Sequence, residues 1–178
     1  MNWGSIEASD DGDFKRLPAG PYVVKVVGIE DFPSREYVEV VFDIAEGEHA
    51  GFFDDDFGRS HPYTHHLFLS YKEAAQSMLK GRLEKIQESN SGFDPFAAWD
   101  ADRLDMFVGR VFGANIQDEE YEKSDGTVGV RQSVCQIVVA DKVRRGEVTA
   151  KPKKLLERGA RPTITTSAGT RDIDVPFD

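Results

Sequence analysis

The sequence predicts a mainly β, α+β domain in which one main helix interrupts five strands. Three observations carry this. Runs rich in β-branched and aromatic residues recur at 21–31, 37–45, 63–69, 110–121 and 128–143. One stretch between 70 and 86 instead places its apolar residues at helical spacing. Asp125-Gly126, between the last two runs, is a strong hairpin signal.

Taken in order, residues 1–17 read as a loose arm, and "LPAG" (17–20) supplies turn chemistry. "PYVVKVVGIED" (21–31) is the first strand, interrupted by Gly28, which predicts a bulge or bend. After the turn "FPSRE", the run "YVEVVFDIA" (37–45) puts Val38, Val40, Phe42 and Ile44 on one face. Glu39 and Asp43 fall on the other, with Tyr37 and Val41. Tyr63 to Leu69 forms the third strand. Ser70 with Glu73 predicts a capping box, followed by a helix whose stripe is Tyr71, Ala75, Met78, Leu79, Leu83 and Ile86. Residues 96–109 predict a short helix or turn that carries Trp99, Leu104 and Phe107 inward. Two strands at 110–121 and 128–143 complete the domain, 18–143. Five strands with a helix after the third is the layout of an OB-fold-like five-stranded barrel; a small α+β sandwich fits the same pattern.

Beyond the domain, 144–171 reads as a flexible basic linker, with one helical turn from Pro152 to Gly159. Residues 172–178 form an acidic tip. The net charge is −10, but it is unevenly spread: nine Lys/Arg face two acids between Lys142 and Arg171. An acidic body, basic connector and acidic tip form a pattern associated with interaction. The connector has three readings: a plain soluble linker, an extension of a phosphate-binding surface, or a segment folded back on the acidic body or tip. No run approaches the ~20 apolar residues of a membrane helix, and the acidic start "MNWGSIEASDDGDF" predicts no secretory leader. The single cysteine, Cys135, excludes an internal disulfide and a multi-cysteine zinc site. These features predict a cytoplasmic protein without membrane partners.

Catalytic chemistry finds little support. Asp54, Asp55 and Asp56 with His61, His65 and His66 could be read as metal ligands. Three consecutive acids point in different directions, however, and the histidine spacing matches no zinc signature. A solvated loop is the better reading, with no metal and no cofactor. Cys135 sits mid-strand among apolar neighbours, as an inert small hydrophobe does. Aromatic residues interleaved with basic ones fit unpaired bases better, since ring stacking contributes about 1–3 kcal/mol per base without sequence demands. The candidate strand-binding residues are Lys25, Arg35, Phe53, Phe57, Arg59, Tyr63, Lys72, Arg110 and Arg131. Against them, phenylalanine is more often core than platform, and the acidic body repels phosphate.

The tip offers a second function. In "DIDVPFD", Phe177 brings about 1.5–3 kcal/mol on full burial, Pro176 limits the conformations lost on docking, and the acids suit a basic pocket. "DIDVPF" resembles the acidic carboxyl-terminal tip of bacterial single-stranded-DNA-binding proteins, which is a run of aspartates followed by a branched aliphatic, Pro and Phe. Here Asp178 follows Phe177, so the end carboxylate is displaced by one residue. The stretches "NWGSIEASDDGDFKRLPAGPYVVKVVGIED", "EYVEVVFDIAEGEHAGFF", "SYKEAAQSML" and "DEEYEKSDGTVGVRQSVCQIVVADKVRRGE" resemble a family of phage and prophage single-stranded-DNA-binding or recombination-accessory proteins. These resemblances imply an OB-like core that holds single-stranded DNA in the cytoplasm of a bacterial host. They imply further that Asp172, Asp174, Val175, Pro176 and Phe177 dock onto a replication or recombination enzyme. Homo-oligomers are compatible with this reading. A protein-only adaptor or recombinase-accessory protein, whose acidic body does not bind DNA, is the alternative; a metal-dependent nuclease using the Asp54–His66 loop is the third.

Overall fold

The computed structural model describes residues 17–54 and 64–157. Five strands make one antiparallel sheet: β1 (Gly20–Phe32), β2 (Tyr37–Ile44), β3 (His66–Ser70), β4 (Val111–Glu122) and β5 (Val128–Val138). Their order is β3-β2-β1-β4-β5, so β3 and β5 are the outer strands of an open sheet. Helix α1 (Gln76–Ser89) follows β3 and precedes β4, as the sequence predicts. Two short helices accompany it, α2 (Pro95–Asp100) and α3 (Ala140–Arg144).

The alternation read in β2 is the alternation observed. Val38, Val40, Phe42 and Ile44 are buried, and across the ladder they meet Val24, Val26, Leu67 and Leu69. Phe112, Ala114 and Ile116 of β4 continue the same apolar face. α1 packs against β3, β4 and β5 and contributes Leu83 and Ile86 to this core. The Gly28 irregularity is also present: the β1–β2 register shifts between Val26 and Gly28, leaving Val27 exposed. An extra residue in one strand lets the face continue past a bend without moving the core side chains outward.

Asn90 fixes the entry to β4. Its side-chain amide donates to the Val111 carbonyl (2.7 Å), and its carbonyl accepts the Val111 N–H (2.9 Å), so it substitutes for a neighbouring strand. Asp94 caps α2 by accepting the amides of Phe96 and Ala97, with Pro95 in the first turn.

Four expectations are corrected. Ser70 does not build a capping box: it is the last residue of β3, and its hydroxyl accepts the Lys72 N–H (3.4 Å) instead. A 3-10 turn over Glu73–Ala75 leads into α1, which has no side-chain cap. Met78 leaves the apolar stripe and is 57% exposed. β5 ends at Val138 rather than continuing to 143. The chain then turns into α3, with Asp141 in its first turn and Lys142 and Arg144 in its last, the charge order a helix dipole favours.

The fourth concerns the connector. No helical turn forms over 152–157. Lys154 instead makes a parallel bridge to Glu119 of β4. β1 pairs with β4 only as far as Ile116, and beyond it the connector takes the place of β1 beside β4. Lys154 N–H donates to the Asp118 carbonyl, and Glu120 N–H donates to the Lys154 carbonyl, both at 2.9 Å. The side chains agree: Lys154 pairs with Glu119 (3.2 Å) and Lys153 with Glu120 (3.3 Å). Gln117 and Asn115 reach the Pro152 and Thr149 carbonyls at 2.7 and 3.0 Å. Arg144 meanwhile bridges Glu46 and Asp141. Of the three readings of the connector, its first part follows the one in which basic residues fold onto the acidic body.

Candidate nucleic-acid interface

Cross-strand partners share a face, so the ladder registers define the side of the sheet opposite the core. Phe32 pairs with Tyr37 and Glu30 with Glu39; Glu39 in turn faces Phe68. These side chains lie opposite to Val38 and Val40. Tyr37 touches both aromatic neighbours, with its ring centroid 5.2 Å from Phe32 and 5.2 Å from Phe68. The Phe68 contact is edge to face, an arrangement favoured by ring quadrupoles. Phe68 is 42% exposed, and the other two rings are half-buried. The result is an aromatic surface on β1, β2 and β3, on the side away from the core.

Arg35 lies in the turn (Pro33–Arg35) that joins Phe32 to β2, and Lys72 lies two residues after Ser70, the ladder partner of Tyr37. Both are exposed, so the aromatic end of the face has two cations beside it. Lys25 is exposed on the same face, paired in the ladder with Asp43. Asp43 lies six positions after Tyr37 along β2, which places Lys25 roughly 20 Å from the rings. Between them, the side chains of Glu39 and His66 meet across neighbouring strands through a hydrogen bond at His66 Nδ1.

The other candidates separate from this face. Phe53 is a core residue at 6% exposure; it stacks on His65 (4.7 Å between centroids) and meets Phe42 edge to face, so it offers no surface to a base. Arg110 lies over the buried Phe93 ring at 4.3 Å and donates to the Met106 carbonyl (3.2 Å), away from the aromatic face. Arg131 is held on β5 by Glu119 and the Tyr121 ring. Phe57, Arg59 and Tyr63 lie outside the described residues, as do Asp172, Asp174, Val175, Pro176 and Phe177. Phe32 and Tyr37 were missed as candidates. The period-2 pattern of β2 already put Tyr37 opposite the core, and only the turn assigned to Phe32 hid its ladder partner.

Two titratable groups considered in the sequence analysis are perturbed by burial. Burial lowers the pKa of His65, and the neighbouring His66 adds to the effect. Burial raises the Cys135 thiol, which donates to the Asn115 carbonyl at 3.2 Å. That is the environment of a quiescent thiol. Among the described residues no group of three or more His, Cys, Asp or Glu side chains converges as metal ligands. Asp55, Asp56 and His61 of the loop considered above lie outside those residues.

Compared with known protein families and with curated proteins, the chain matches none. No helix among the described residues is long and apolar enough to cross a membrane.

Proposed function

We propose that this protein binds single-stranded DNA in phage replication or recombination, on the outer face of β1, β2 and β3, and that it acts by binding rather than by catalysis. The observation that carries the reading is the group Phe32, Tyr37 and Phe68, kept at the surface of a sheet whose other face already holds a full aromatic core. A β-sheet with outward rings and flanking cations suits unpaired bases, because stacking tolerates any sequence while Arg35 and Lys72 meet the backbone. Five antiparallel strands with α1 between the third and fourth agree with an OB-like fold, whose second and third strands form an oligonucleotide-binding face. The segment Asp172–Phe177 would recruit a replication or recombination enzyme in the bacterial cytoplasm. Anisotropy of a labelled oligo-dT titrated at low and high salt tests strand binding. The expected result is saturable binding that weakens with salt, with only a few phosphates neutralised. No binding at micromolar protein and low salt would overturn it. Removal of 172–178 followed by pull-down of candidate enzymes tests the segment separately.

A second reading draws on the connector. The acidic strand β4 already holds an extended basic segment through main-chain bonds and the Lys153–Glu120 and Lys154–Glu119 pairs. A body that recognises a basic peptide this way suits a protein-only adaptor. It predicts that a chain ending at residue 146 captures a peptide of residues 147–157 in trans and binds no oligonucleotide.

A further inference from the structure

A cleft of about 420 Å³ opens between the first turn of α1, the end of α2 and the core edge of the sheet. Its walls are Tyr71 and Trp99, whose rings meet nearly at right angles (80°) with centroids 6.1 Å apart. Leu104 forms the apolar side, and Asp31, Asp102 and Gln76 supply the polar groups. The Tyr71 hydroxyl donates to the Asp31 carboxylate (3.1 Å), which fixes one acid against one ring. The Asp102 carboxylate has no hydrogen-bond or ion-pair partner among the described residues. Among the described residues no lysine or arginine lines the cleft. Arg103, the adjacent residue, is turned to Asp105 by two bonds of 2.9 Å.

We propose that this cleft binds an arginine side chain presented by a partner protein. Two aromatic walls with two carboxylates and no cation attract a positive group and repel a phosphate. A planar guanidinium suits the geometry better than a lysine ammonium, because it can stack on one ring while its N–H fork meets a carboxylate. The Gln76 side chain, which donates to the Tyr71 carbonyl at 3.5 Å, leaves an amide oxygen for a further donor. The cleft lies on the α1 and α2 side of the domain, and its lining shares no residue with the aromatic group on the opposite face.

The test uses the full-length protein carrying Trp3→Phe, in which Trp99 is the remaining indole. N-acetyl-arginine methylamide, the lysine counterpart and guanosine are titrated separately at matched ionic strength, following Trp99 fluorescence. The expected result is a saturable arginine-dependent change that is weaker for lysine. Asp102→Asn should weaken it about tenfold, as loss of a charged hydrogen bond does; asparagine keeps the left-handed backbone (φ 55°) at that position. Glu122→Gln, on β4, should leave it unchanged. The proposal is overturned by the absence of a saturable arginine response, by an equal response in Asp102→Asn, or by guanosine binding in place of arginine.

Discussion

Tyr37 and Phe68 meet edge to face across β2 and β3 with their ring centroids 5.2 Å apart, on the side of the sheet that faces away from the core. On the other side, Phe42 makes the same kind of contact with Phe112 at 5.9 Å. The sheet thus carries aromatic groups on both faces, one enclosed and one open. The enclosed group is part of the buried core. The open one has a different energetic status: truncating Phe68 removes half-exposed area and leaves little cavity. Phe68→Ala should therefore lower stability by only about 1 kcal/mol, against about 3–5 kcal/mol for Phe42→Ala. Urea denaturation of both variants checks the contrast.

Gly113 sits where the packing leaves no room for a side chain. A Cβ there would lie 2.5 Å from Val138 Cγ2, 2.8 Å from Val143 Cγ2 and 3.0 Å from the Val138 carbonyl oxygen. The valines can turn, but the carbonyl belongs to the β4–β5 ladder. Gly113→Ala should destabilise by about 1–3 kcal/mol through overpacking. It should also loosen α3, whose Val143 meets the same spot. A lower Tm with faster amide exchange in 140–144 is the expected readout.

Much of this architecture is legible in the sequence. The alternation in 37–45 places four core residues and the outward Tyr37, and Gly28 marks the bulge. What escapes the pattern has local causes. Ser70 resembles a helix cap, but its strand position directs its hydroxyl elsewhere. The β-branched run through Val139 hides a helix that begins only where Ala140 is buried. The connector lacks apolar periodicity because main-chain bonds and charge pairs, rather than buried side chains, hold it to β4. The aromatic group is only partly visible in the sequence: the alternation turns Tyr37 outward, but "FPSRE" reads as a turn that hides Phe32, and nothing in the sequence separates the outward Phe68 from the core Phe53.

His65 makes stability depend on pH. Its Nδ1 is buried without a hydrogen-bond partner among the described residues, and its ring stacks on Phe53. Burial holds its pKa below the ordinary 6.5, so on acidification the unfolded chain takes up the proton before the folded one. The stability from the neutral ring is full above the unfolded value and is lost as pH falls from there through the folded pKa. Thermal unfolding at about pH 7.5 and about pH 5.5 should show a smaller Tm loss in His65→Leu than in the wild-type chain.

The connector should respond to salt. Burial pushes the Glu119 carboxyl upward, but Lys154 and Arg131 together carry it below the usual carboxylate range. Lys154 and Lys153 are largely exposed, so each pair contributes at most about 1 kcal/mol. Replacing both lysines with alanine should hardly change Tm, yet it should accelerate exchange of the Glu120 amide, which donates to the Lys154 carbonyl. High salt should reproduce that acceleration in the wild-type chain.

The central claim is that outward rings on β2 and β3 hold bare bases. The most direct measurement compares oligo-dT affinity of Tyr37→Ala and Phe68→Ala with that of Phe53→Leu, a core ring used as control, each confirmed as folded. The account predicts losses of about 1–3 kcal/mol per outward ring and near wild-type affinity for the core variant. Equal affinity in all four proteins, or loss confined to Phe53→Leu, would contradict it.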